Sequence, residues 1–137
     1  MTDSHVCGIS PLINPIPGAS YVRGFTAYHN GTDLAAPYGT AERAAQAGQV
    51  IWAGWDIGGL GWSVKINHCD GRSTVYGHMA EPPFVHARDN VAAGQQIGIE
   101  GMTGDATGPH LHFMVEINNA PVNPYCYDFQ LPPGGSC

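Results

Sequence analysis

The chain has 137 residues, 43% of them hydrophobic, and a net charge of −6 from 11 acidic and five basic side chains. That is enough apolar material for one domain with its own core, and too much for a disordered chain. Five Lys and Arg cannot build the basic stripe that nucleic acid requires, and no apolar run approaches the about 18 residues of a membrane-crossing helix, so neither partner is expected.

Nineteen glycines and 11 prolines favour short strands and turns over long helices. Residues 1–20 are Pro-rich and read as an irregular lead-in wrapped on the surface. The first residues lack the basic start and apolar stretch of a secretory signal. Ala41 to Ala47 has the one helical leaning. Gln49 to Trp55 reads as a buried strand, with Trp52 and Trp55 largely covered, and Asp56 to Gly61 as a flexible glycine-rich turn. Ser63 to His68 alternates, with Val64, Ile66 and His68 on one face. Asp70-Gly71 marks a hairpin whose returning strand, Ser73 to His78, puts Thr74, Tyr76 and His78 on a common face. Residues 81–90, with Pro82-Pro83, form a loop. Val91 to Gly104 is glycine-punctuated β structure, residues 110–117 form a strand, and Asn118-Asn119 turns the chain. No internal repeat is present. The class is therefore all-β, mostly antiparallel, in one domain over residues 1–130, with residues 131–137 as the start of a Pro/Gly linker.

Cysteines stand at 7, 69, 126 and 137, none in a Cys-x-x-Cys pair, so a thiolate zinc knuckle is not expected. Three full disulfide pairings are open, as are unlinked thiols, and Cys137 at the extreme end is the one most easily left free.

The chemistry concentrates in the histidines. His110 and His112 stand at i and i+2 on a strand and share a face, while Leu111, Phe113, Val115 and Ile117 point to the core. Paired imidazoles in an all-β core region are costly unless used, and suit metal binding or acid–base work. The spacing permits one or both to be ligands. His29, Asp33, His68 and His78 complete the suggestive set. His29 and Asp33 flank an Asn30-Gly31 turn that folds both side chains to one point. A set of Asp and two His suits a catalytic zinc, which takes three protein ligands and keeps one position open. His68, on a face with core residues, reads as structural; His5 and His86 read as ordinary loop residues.

Taken together, His29-Asn30-Gly31-Thr32-Asp33, Tyr76-Gly77-His78-Met79 and Thr107-Gly108-Pro109-His110-Leu111-His112-Phe113 resemble the lysostaphin/LytM-type zinc endopeptidases, which hydrolyse peptidoglycan. The likeness runs over about residues 21–125, and three motifs in order are far more specific than any one. It implies one zinc ion on His29, Asp33 and His112, with His78 and His110 as an unligated catalytic pair. One of that pair would be general base, and the other would stabilise the oxyanion or protonate the leaving amine. It implies a compact two-layer, sandwich-like antiparallel fold, with a substrate groove walled by the Gly58–Trp62 turn and the loop around Glu81 to Asp89. The implied partners are bacterial peptidoglycan peptides, met outside the cytoplasm by a monomer. The missing signal, the Met start and the linker-like tail point to a bacteriolytic phage endolysin released through a holin, with a tail-associated phage protein or a bacterial autolysin whose signal has been trimmed as the runner-up. The short segment before His29 points to an uninhibited, open site. The competing readings are a non-catalytic wall-binding or regulatory zinc domain of the same fold, and a carbohydrate-binding β module using Trp52, Trp55 and Trp62. The bond cut is not legible.

Overall fold

The structure, a computed structural model, describes Cys7 and residues 12–127 and 130–137. Ten strands follow one another: β1 (Ser20–Arg23), β2 (Thr32–Ala35), β3 (Ala41–Arg43), β4 (Gly48–Asp56), β5 (Gly61–Cys69), β6 (Arg72–Met79), β7 (Asn90–Val91), β8 (Gln96–Ile99), β9 (Leu111–Ile117) and β10 (Ala120–Val122). Eight of them form one antiparallel sheet in the order β1-β2-β9-β6-β5-β4-β7, with β10 pairing β9, while β3 and β8 make a separate two-stranded sheet. Among the described residues the one helical turn is a 3-10 turn at Pro124–Cys126. The expected all-β, antiparallel, two-layer architecture is what is found.

The period-2 pattern explains the layering. Val64 and Ile66 on β5, Tyr76 on β6, and Leu111, Phe113 and Val115 on β9 are fully buried on one face of the large sheet. Ala44, Ala45 and Ile97 from the β3–β8 layer pack against them, together with Leu12 and Ile16. The lead-in thus supplies two core anchors rather than only covering the surface. Sequence alone missed this because isolated apolar residues between prolines carry no period. A chain of hydrogen bonds joins the layers: Ala45 N–H donates to the Tyr76 hydroxyl, which pairs with Thr74 at 2.8 Å, and Thr74 pairs with His68 Nε2 at 2.8 Å. His68 Nδ1–H donates to Ala47 O at 2.8 Å, so this imidazole is structural, as expected. Burial holds its pKa below the usual histidine value, only partly countered by the Ala47 carbonyl, and so keeps it neutral.

Two expectations fail here. Ala41 to Ala47 is not helical: β3 occupies Ala41–Arg43 because pairing with β8 outweighs a weak local leaning. Trp52 and Trp55 are not largely buried but each 45% exposed, because β4 shifts register between Val50 and Trp52 near the edge of the sheet.

All four cysteines are paired, Cys7 with Cys69 and Cys126 with Cys137, so Cys137 is not free. The second bond closes residues 131–137 back onto the domain, where the Tyr125 hydroxyl donates to Pro132 O at 2.6 Å and Leu131 packs against the core.

Candidate metal centre and groove

The other face of the large sheet carries the site. β2 and β9 are neighbours with Asp33 directly opposite His112. Position 31 has to be glycine for this approach, since a Cβ there would lie 2.6 Å from Phe113 O and 3.0 Å from His112 Nε2. The loop before β2 therefore lies flat on β9, and His29 comes within 3.2 Å of Asp33, Nε2 to Oδ2. On the opposite side of Asp33, His112 Nδ1 is 3.0 Å from Oδ1. Ligand atoms of His29, Asp33 and His112 all lie within 4.8 Å of one another. His110 sits just before β9, its Nε2 3.6 Å from Asp33 Oδ1. His78 stacks edge-on to His110, with ring centroids 4.7 Å apart. All five site residues expected from sequence meet at one place.

His78 arrives there by a different route from the one its strand period suggests. Strict alternation would put it with Thr74 and Tyr76, facing the core. Instead β6 carries an extra residue against β5 between Tyr76 and Met79, and His78 takes a φ of 65°. This bulge turns His78 into the groove and returns Met79 to the core. A non-glycine left-handed residue costs about 1 kcal/mol or more and needs local support. That support comes from His78 N–H donating to Leu60 O at 2.7 Å and from Nδ1–H donating to Thr103 O at 2.7 Å. Gly61 (φ +63°) lets the β4–β5 turn reach Thr103, since a Cβ would come within 2.5 Å of Thr103 Oγ1. Thr103 was not singled out in the sequence. Its signal, a threonine inside the Gly101-Met102-Thr103-Gly104 turn, has no periodicity to reveal it.

The electrostatics of the cluster are unusual. Burial opposes ionisation of Asp33, but a hydrogen bond from His112 and the charges of His110, His29 and His112 outweigh it, holding the carboxyl below its usual value. Burial also pushes His78 below the usual histidine value, against the pull of the Thr103 carbonyl, with His110 and His112 adding to the depression. Each imbalance has a geometric origin. His29 Nδ1–H donates to Gly24 O, His110 Nδ1–H to Gly108 O, and His112 Nε2 faces Asn30 Oδ1. A neutral imidazole has one N–H. With that proton engaged away from the cluster, each ring turns its second nitrogen toward the Asp33 carboxylate, which can only accept. A second proton on a ring can bridge such a contact, and a divalent cation can take that proton's place. Two imidazole nitrogens and one carboxylate oxygen, all within 4.8 Å of one another, are the donor types that a catalytic zinc ion takes. The donor set fits the ion.

Around the cluster runs a groove of about 850 Å³. Gly58, Gly59 and Leu60 line it, as expected of that turn. The loop around Glu81 to Asp89 does not. It packs against β4 and β8 instead, through Arg88 N–H to Val50 O and Phe84 N–H to Ile97 O. Asp105, whose N–H donates to Gly59 O at 2.8 Å, continues that wall, Arg23 and Thr107 also line the groove, and the floor runs on past His112 to Met114 and Glu116. The floor residues were readable by alternation from His112; Arg23, Asp105 and Thr107 were not. Trp52 also lines the groove, its indole N–H donating to Ser63 Oγ at 3.0 Å. Lys65 and Glu116 pair across the floor at 2.7 Å. His86 is exposed and faces only Asp89, as its loop position implied, while His5 lies outside the described residues.

An antiparallel β sheet with a His–Asp–His cluster on its open face, flanked by two further histidines in a groove, defines the metallopeptidase class of site. The chain belongs to peptidase family M23, whose model matches residues 27–124. It is 46% identical over 104 residues to the DD-carboxypeptidase/endopeptidase Mpg of Neisseria meningitidis, a match covering 76% of this chain and 24% of that protein. The chain thus spans about a quarter of the length of the Neisseria relatives it matches. Among solved structures, the catalytic domain of the antimicrobial peptidase lysostaphin from Staphylococcus simulans superposes with a TM-score of 0.72 at 31% identity, covering 77% of this chain and 89% of that one. The catalytic domain of the prophage-encoded M23 protein EnpA from Enterococcus faecalis, solved as a point mutant, gives 0.66 at 33% identity, covering 90% and 92%.

Proposed function

We propose that this domain is a zinc-dependent endopeptidase that hydrolyses peptide bonds of bacterial peptidoglycan, in the stem peptide or the cross-bridge. The observation that carries the reading is the gathering of His29, Asp33 and His112 on the open face of the sheet with ligand atoms within 4.8 Å of one another, the donor set of a zinc site. His29, Asp33 and His112 would hold one zinc ion. When bound, zinc supplies a Lewis acid and lowers the pKa of water toward about 7.

The remaining steps belong to the chain's own side chains. Both His78 and His110 commit Nδ1–H to a backbone carbonyl, which leaves Nε2 of each free to take a proton. Burial keeps His78 neutral at neutral pH, the state a general base needs. His78 and His110 sit edge to edge, so one can remove a proton from the attacking water while the other steadies the oxyanion or returns a proton to the leaving amine. The groove, from Leu60 past His112 to Glu116, holds an extended peptide across these rings.

The setting is a cell wall outside the cytoplasm. The Cys7–Cys69 and Cys126–Cys137 bonds suit an oxidising compartment. Relatives named as a peptidoglycan DD-endopeptidase and as lysostaphin support the substrate. We take the domain to act as a monomer. Purified walls digested with and without chelator, with the released muropeptides read by mass spectrometry, test the proposal. New free amino ends that vanish with chelator and return with zinc are expected. Metal-independent cleavage, or none from a zinc-loaded, folded domain, would overturn it, and the latter would favour a wall-binding or regulatory role.

A further inference from the structure

We infer that Asn30 sets the tautomer of His112 and thereby the affinity of the site for its metal, an inference that rests on the metal-centre reading above. The His112 ring has Nδ1 3.0 Å from Asp33 Oδ1 and Nε2 2.7 Å from Asn30 Oδ1. When the amide oxygen accepts from Nε2–H, Nδ1 keeps its lone pair, which is the ligand form of the ring.

His112 differs in this from its neighbours. His29, His78 and His110 each anchor Nδ1–H on a backbone carbonyl: Gly24 O, Thr103 O and Gly108 O. His112 lies within β9, flanked by β2 and β6, and the carbonyls around it belong to the sheet ladder. A side chain has to do for His112 what the backbone does for the others. Asn30 can reach because Gly31 presses the loop onto β9, with room for no Cβ beside Phe113 O and His112 Nε2. The carboxamide is neutral, so it orients the ring without competing with Asp33 for the cation. Asn30 is thus a positioning residue: it acts through His112.

The test compares Asn30→Ala, which has no acceptor, with Asn30→Asp, which keeps one. Asn30 is exposed, so both variants retain the core. Zinc affinity is measured on the intact chain by competition with a chromophoric chelator. The His112 ring protons of the zinc-loaded protein are read by long-range proton–nitrogen correlation. Asn30→Ala should weaken zinc about 10- to 100-fold and lose the slowly exchanging His112 Nε2–H. Asn30→Asp should bind at least as tightly as the parent and keep that proton. Parent-like affinity in Asn30→Ala, or an equal loss in both variants, overturns the inference while leaving the metal centre standing. A parent protein that takes up no zinc, or a His112→Ala variant that binds it unchanged, sinks the metal centre and this inference with it.

Discussion

Asp33 and His112 face one another across β2 and β9 in direct register, with a carboxylate oxygen of one 3.0 Å from Nδ1 of the other. Residues 79 positions apart are held together by the central strands of the sheet, next to fully buried Leu34, Leu111 and Phe113. Ligands mounted on packed strands keep their geometry before any ion arrives.

Metal should therefore stabilise the fold. With zinc at about a hundred times its dissociation constant, binding to the native state alone adds about 2.7 kcal/mol. Calorimetric melts should shift upward with zinc and downward with chelator. Asp33→Ala or His112→Ala should abolish the shift.

Loss of His78 or His110 should separate chemistry from metal binding. His78→Ala and His110→Ala are each expected to lower kcat by about 10²- to 10⁴-fold, the range of general acid–base groups, with one zinc retained per chain. Metal analysis beside turnover measures both. Full activity in either variant would remove that residue from the mechanism.

Glu42 and Glu100 should make the fold less stable as pH rises from 5 to 8. Both are fully buried, and both Glu42 oxygens and Glu100 Oε1 have no hydrogen-bond partner among the described residues, while Glu100 Oε2 accepts from Ala36 N–H. Burial, then the charge of Glu100, pushes Glu42 well above the usual carboxyl range. Burial pushes Glu100 up to about 7, against the pull of the Ala36 N–H. A raised folded-state pKa favours the protonated fold, so this contribution is full below the unfolded value of 4.5 and is lost as pH rises through about 7. The loss is about 1.4 kcal/mol for each pH unit over which the carboxyl is protonated in the fold and ionised in the unfolded chain. Urea unfolding at pH 5 and pH 8 should show the parent weaker at pH 8. Glu42→Gln should flatten the difference; an unchanged slope would refute the assignment.

The two disulfides should contribute unequally. The Cys7–Cys69 bond spans 62 residues and Cys126–Cys137 spans 11. Loop-closure entropy assigns about 4 and about 3 kcal/mol respectively. Denaturant midpoints of Cys69→Ser and Cys126→Ser should follow that order. Cys126→Ser should also free the tail, seen as early proteolysis near Leu131.

Much was written in the sequence. The alternation of Val64, Ile66, Leu111, Phe113 and Val115 declared β structure and named its buried face, because period 2 is a local property of extended chain. The same period put His110 and His112 on the open face, and the spacing around Asn30-Gly31 brought His29 to Asp33. Other features depend on segments far apart in the chain. The His78 bulge exists because Leu60 and Thr103 hold it, and the exposure of Trp52 and Trp55 follows from their place near an edge. The groove lining passed from the Glu81–Asp89 loop to Arg23, Asp105 and Thr107 because the loop found partners on β4 and β8. The sequence by itself determined which residues can carry charge, lone pairs and apolar surface, since these belong to side chains. Tertiary structure alone decided which ring nitrogens meet at Asp33 and which carbonyl or amide holds each ring, because hydrogen bonds between distant strands close only when the whole sheet is in register.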